Sequence, residues 1–113
     1  MEKFEEIVSL INGSQCVLVM ADENYIIKFV NEIGAKNYER FGGLAIVGKS
    51  LFDCHNENSC EAIKKLYKQF EDKTIRNFIK EVERNGKKKV IVYFPIFNEE
   101  KFGGVLELQY FKE

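Results

Sequence analysis

The stretch Val47-Gly48-Lys49-Ser50-Leu51-Phe52-Asp53-Cys54-His55-Asn56-Glu57-Asn58-Ser59-Cys60 carries the densest local chemistry in the chain. A glycine turn, two of the three cysteines and the only histidine fall within it. Ser50 to Cys54 predicts one irregular helical turn, and Asn58 or Ser59 predicts the cap of a helix running to about Phe70. In that helix Ile63, Leu66, Tyr67 and Phe70 share one side, while Lys64, Lys65 and Lys68 face water. A block of this kind between two strand-forming regions predicts one wall of a pocket.

Working toward the N-terminus, Cys16 to Ala21 is a short apolar run that reads as a buried strand. Asp22-Glu23-Asn24 has turn chemistry, and Tyr25 to Val30 resumes a strand, so the two make a hairpin. Ahead of it, Phe4, Ile7, Val8 and Ile11 recur at helical spacing, with Asn12-Gly13 as the stop. After the hairpin, Asn31 caps a segment in which Gly34, Tyr38 and Phe41 share a helical face, and Gly42-Gly43 ends it.

Toward the C-terminus the reading is β. Asn77 to Glu83 is a strand, Asn85-Gly86 is a tight hairpin signal, and Lys88 to Phe97 is a long strand with Pro95 near its end. Asn98 to Lys101 turns the chain, and Gly103 to Phe111 closes it. No internal repeat, linker or low-complexity segment interrupts this order. The expectation is one domain over residues 1–113, with a flanking helix at 1–12 and a core at 16–111.

Composition sets bounds on function. The 113 residues are 45% hydrophobic and 31% charged, a globular mixture large enough to bury a core. Seventeen basic and eighteen acidic side chains nearly cancel, which removes the electrostatic footprint of a nucleic-acid binder. The Lys87-Lys88-Lys89 run stands alone and reads as a solvated strand entrance. No apolar run approaches the ~20 residues of a membrane span, and the acidic, amphipathic start is unlike a signal peptide. Three cysteines read as reduced thiols, which predicts a cytoplasmic protein and no disulfide framework.

The order of elements resembles a PAS domain: an antiparallel five-stranded sheet with helices over one face. Val19-Met20-Ala21-Asp22-Glu23-Asn24-Tyr25 and Phe29-Val30-Asn31 resemble the family's opening hairpin. There an Asp begins the turn and an Asn ends the second strand. Val47-Gly48-Lys49-Ser50-Leu51 resembles its hydrophobic-Gly-Lys/Arg-Ser/Pro-Leu element. Tyr93 to Phe97, the turn after it and Phe102 to Glu107 resemble its closing strands. Asp53-Cys54-His55 is similar to a bacterial and archaeal subgroup with Cys-His-Pro-Pro-Lys-Ser here, although both prolines are absent. The resemblance covers nearly the whole chain and implies an α+β, PAS-like fold. It implies sensing, ligand binding or dimerisation beside a signalling effector.

Candidate chemistry follows from both readings. An apolar ligand pocket is expected between the inner sheet face and the helices, lined by Val19, Ile27, Phe29, Tyr38, Phe41, Ile63, Tyr67, Val92, Phe94 and Leu106. Ten Phe and five Tyr could equally fill that space. A homodimer is expected through Phe4, Ile7, Val8 and Ile11, whose stripe would be covered by a second copy. His55 is a candidate axial ligand for haem, as some PAS domains use a histidine on or near the long helix. Cys54 and Cys60 are candidate redox thiols near a helix N-terminus. Cys54, His55 and Cys60 fall short of the four ligands zinc wants, so no metal site is expected. Lys49-Ser50-Leu51 stands where the light-sensing PAS subgroup places its reactive cysteine, which argues against flavin. With one histidine no acid–base set assembles, and no enzyme is expected.

Overall fold

Three hairpins organise the sheet, and two of them show different turn chemistry. The computed structural model describes residues 2–112, with every side chain except those of Glu2 and Phe4. Helix α1 (Glu2–Asn12) leads into β1 (Val17–Asp22) and β2 (Ile27–Val30). In the β1–β2 turn the Asp22 carboxylate accepts from the backbone N–H of Asn24 at 2.9 Å and of Ile26 at 3.0 Å. The second turn uses Asn85 and Gly86, both at positive φ (55° and 79°), the backbone that a two-residue hairpin loop needs. It joins β3 (Phe78–Arg84) to β4 (Lys87–Asn98), and β5 (Lys101–Phe111) follows. The five strands are antiparallel in the order β2-β1-β5-β4-β3.

Between the first two hairpins lie α2 (Glu32–Asn37), three tight helical turns at Glu39–Phe41, Gly43–Ile46 and Leu51–Cys54, and α3 (Glu57–Glu71). The segment expected to be one helix from Asn31 stops at Asn37, so Gly34, Tyr38 and Phe41 do not share a continuous helical face. Ser50 and Asp53 close a reciprocal cap around the Leu51–Cys54 turn. Helix α3 is capped by Asn56, whose side chain accepts from Ser59 N–H at 2.8 Å, and not by Asn58 or Ser59 as expected. Three capping residues fall within positions 56–59 (Asn56, Asn58 and Ser59), and Asn56 directly follows the point where His55 returns to extended backbone.

These helices cover one face of the sheet. The core joins Val17, Val19, Ala21, Ile27 and Val105 of the strands to Ile46, Leu51, Cys54, Leu66, Tyr67 and Phe70 of the cover. Asn31 pins the arrangement from a fully buried position. Its side-chain oxygen accepts from Leu18 and Gly34 N–H at 3.0 and 2.9 Å. Its amide donates to the Cys16 carbonyl at 2.8 Å, the Ser14 hydroxyl at 3.2 Å and the Ile11 carbonyl at 3.4 Å. One side chain therefore joins the end of α1, strand β1 and the start of α2.

Two bulges decide which side chains reach that core. In the β1–β2 ladder Met20 faces Phe29 and Ala21 faces Ile27, leaving Lys28 unopposed. In the β4–β5 ladder Phe97 faces Phe102 and Ile96 faces Gly104, leaving Gly103 unopposed. Each extra residue reverses the in–out alternation beyond it. Gly104 sits at φ 139°, and a Cβ there would overlap the Ala21 carbonyl oxygen of the neighbouring strand. Only glycine fits this crossing.

Candidate functional site

Helix α3, the Leu51–Cys54 turn and the inner sheet face enclose a small cavity lined by Val19, Ala21, Leu51, His55, Ile63, Leu66, Tyr67, Tyr93, Val105 and Glu107. The free space inside is about 20 Å³. That is room for about one water-sized group, since a single water needs roughly 10–15 Å³ by this measure. Drug-sized ligands occupy pockets of roughly 300–1,000 Å³. The aromatic core thus fills most of the space and leaves one small gap.

Of the ten residues expected to line a pocket, Val19, Ile63 and Tyr67 do so. Ile27 is buried in the core beside them, and Tyr38 and Phe41 pack at its margin. The remaining four are corrected. Phe29 pairs with Met20, Leu106 with Met20 and Phe94, and Val92 with Leu108 and Ile79. Directly paired residues project from the same side of a sheet, so all four lie on the outer face. For Phe29 and Leu106 the cause is the bulge at Lys28 or Gly103, and Val92 and Phe94 follow the face of their β5 partners. The outer face is consequently apolar too, with Phe94, Ile79 and Tyr110 exposed.

Reversing the parity of β5 brings Glu107 and Gln109 inward, two residues that the sequence reading passed over. Both are buried, at 6% and 4% exposure. The Gln109 amide lies 2.6 Å from Glu107 Oε2 and 3.1 Å from the Tyr38 hydroxyl, which in turn lies 3.5 Å from the same carboxyl oxygen. Burial holds the Glu107 carboxyl above the usual carboxylate range, with Gln109 and the positive charges of His55, Lys80 and Lys89 pulling against it. Burial, reinforced by Glu107, also raises the phenols of Tyr38 and Tyr93. Tyr67 is raised by burial and by Asp22, and its hydroxyl donates to the Asp22 carbonyl at 2.9 Å. That bond ties α3 to the first hairpin.

His55 lines the cavity, and its Nδ1 lies 2.7 Å from the Leu51 carbonyl. A carbonyl only accepts, so Nδ1 carries a proton and Nε2 is the nitrogen left for other partners. Cys54 is buried, and burial together with Asp53 pushes its thiol up, outweighing Lys49. This opposes the expected redox role, because reactive cysteines are thiolates. Cys54 belongs to the turn before Asn56 and not to the first turn of α3. The Cys60 thiol lies 3.7 Å from the carbonyls of Phe52 and His55, and all three cysteines are free. Among the described residues no group of three or more His, Cys, Asp or Glu is placed to hold a metal ion.

On α1, Val8 and Ile11 are half-buried and Ile7 is 50% exposed, while the Phe4 side chain lies outside the described ones. Leu10, which the apolar stripe omitted, is 71% exposed. Lys89 departs from its lysine neighbours. Its side chain folds back to Asn37 Oδ1 at 3.4 Å and over the Phe111 ring, and partial burial lowers its pKa.

Compared with known proteins, residues 7–109 match the family described as PAS domain. No curated protein sequence matches the chain. Among solved structures, a C-terminal domain from Streptococcus mutans superimposes with a TM-score of 0.81 at 17% identity, covering 96% of this chain and 84% of that one. A sensory box sensor histidine kinase from Vibrio cholerae gives 0.69 at 16% identity, over 99% and 94% of the two chains. The Aer2 receptor of Vibrio cholerae, described as a dual PAS-haem oxygen sensor, gives 0.60 at 12% identity, over 91% and 99%. At such identities the likeness is one of fold.

Proposed function

The chain belongs to the PAS domain family over residues 7–109, and from that premise we propose a non-enzymatic sensory or signalling module that binds a small ligand under α3 and forms a homodimer. The observation that carries the ligand reading is Glu107: a buried carboxyl on the wall of an otherwise apolar cavity, beside His55 and Tyr93. Ligand sites are apolar concavities with a few placed polar groups, and this one has that make-up at small scale. A sensor histidine kinase shares the fold, which supports a role next to a signalling effector domain or protein.

Dimerisation is supported by exposed apolar surface. Ile7 and Leu10 on α1, and Phe94, Ile79 and Tyr110 on the sheet, are left open. Covering such area with a second copy is favourable at roughly 25 cal/mol per Å². No helix among the described residues is long and apolar enough to cross a membrane. The free thiols support a reducing, cytoplasmic setting.

Haem ligation by His55 is the rival reading, and the Aer2 receptor is a haem sensor on the same fold. The residues present do not fit it. His55 lines a gap of about 20 Å³ bounded by α3 and the sheet, which admits no macrocycle without moving the helix. A haem-supplemented preparation should therefore show no Soret band, and a band abolished by His55→Ala would reinstate this reading.

Native mass spectrometry of purified protein, with a thermal-shift screen of small metabolites, tests the ligand reading. A retained small molecule, or a shift lost in a variant that fills the cavity such as Val105→Phe, supports it. Repeated recovery of empty protein with no shift across the panel overturns it.

A further inference from the structure

We propose that the cavity beneath α3 is a subsite for the ammonium group of a small amine, or for ammonium itself, with Glu107 as its counter-charge and His55 Nε2 and the Tyr93 hydroxyl as further acceptors. The inference rests on the ligand-binding reading above and assigns its chemistry.

Three polar groups of the cavity wall are left without a protein partner among the described residues. The hydrogen bonds to Glu107 both end on Oε2, so Oε1 has none. His55 uses Nδ1 on the Leu51 carbonyl, so its other nitrogen offers a lone pair when the ring is neutral. The Tyr93 hydroxyl makes no protein hydrogen bond, although its ring lines the same space. Gln109 Oε1 is the one fully enclosed side-chain atom without a partner among the described residues, so these three groups keep open surface, and all three residues line the same gap.

Size and charge then select the partner. A gap of about 20 Å³ takes one water-sized group. An ammonium group is of that size, and it offers three or more donors and no acceptor, the complement of three acceptors. Charge separates it from a neutral molecule. The groups facing Glu107 are Tyr38 after α2, His55 before α3, Tyr67 on α3, Tyr93 and Lys89 on β4 and Lys80 on β3. None of them is a cation hydrogen-bonded to the carboxyl: Lys89 is spent on Asn37 and Lys80 is exposed. Burial favours the neutral acid, and an arriving cation favours the carboxylate. A bound cation therefore lowers the Glu107 pKa, and any proton the carboxyl carries leaves to solvent as the ion pair forms.

The test titrates ammonium chloride and methylammonium chloride into the intact chain by calorimetry, at about pH 8, where a histidine ring is ordinarily neutral. Sodium chloride controls for ionic strength and methanol for size. The expected result is saturable binding of at least one cation. Glu107→Gln should weaken it about tenfold or more, as expected on losing a buried counter-charge. Should Glu107→Gln fail to fold, Tyr93→Phe and His55→Ala each serve, with a severalfold loss expected. Equal responses to sodium or methanol, or affinity unchanged in all three variants, would overturn the assignment. If native mass spectrometry finds another molecule in the cavity and neither cation displaces it, the amine assignment falls while the ligand reading stands. If no molecule is retained and neither cation binds, both fall.

Discussion

The Gln109 side-chain amide and Glu107 Oε2 lie 2.6 Å apart on one face of β5, two residues from each other in sequence. That separation is short for an N–H···O bond and ordinary for O–H···O. Here Gln109 Nε2–H donates to the carboxyl and favours its charged form. Burial is the larger influence and favours the neutral acid.

The first prediction concerns pH. A carboxyl raised on folding binds its proton more tightly in the native state, so stability is lost as pH climbs from the unfolded carboxyl value, about 4.3, through the native one. Each unit of the raise is worth about 1.4 kcal/mol. Glu107→Gln removes this loss. The variant should be the more stable protein near neutrality, with the gap closing toward about pH 4. Urea unfolding at a series of pH values checks it, and a gap constant with pH would contradict a raised Glu107.

Asn31→Ala should destabilise the protein by roughly 3 kcal/mol or more, because it strands buried partners in three elements at once. Asn31→Asp should not restore stability, since an oxygen would then face the Cys16 and Ile11 carbonyls in place of the donating amide. Chemical denaturation measures both. A loss below about 1 kcal/mol for the alanine variant is incompatible with the buried network.

Gly104→Ala is expected to cost more than about 3 kcal/mol, combining a positive-φ penalty with a clash against the Ala21 backbone. The damage should centre on the β1–β5 ladder. Amide exchange at Val19 and Ala21 faster than in wild type, measured by NMR, would locate it there; unchanged protection would refute it.

Sedimentation equilibrium tests self-association. Wild type should be dimeric at micromolar concentration, and Leu10→Asp with Ile7→Asp should shift it to monomer without loss of helix by circular dichroism. A wild type monomeric at high micromolar concentration rejects the dimer.

Much of the fold was legible because its turns are specified locally. Asp22 and Asn85-Gly86 announce two of the three hairpins, Asn31 announces a cap, and Ser50 with Asp53 closes its own turn. The site was legible only in part. Counting by twos along a strand fails wherever an extra residue intervenes, and Lys28 and Gly103 are such residues. Adjacent glycines at 103–104 were the available sign of the second bulge. Apolar side chains on both faces concealed the error, since Leu106-x-Leu108 looks more like a core stripe than Val105-x-Glu107-x-Gln109. A carboxylate on a strand reads as solvent-facing, so the residue at the centre of the cavity's chemistry carried no outward mark.

Asn31 also fixes the mechanics of the first helix. It grips α1 at the Ile11 carbonyl, and residues 2–10 of the helix extend beyond that point, about 14 Å at the helical rise. A tilt of roughly 10° about that pivot would sweep the far tip through roughly 2 Å, given the helical rise. The fulcrum sits on β1, the strand that supplies Val19 and Ala21 to the cavity wall. A displacement too small to disturb the sheet is thereby magnified at the molecule's edge.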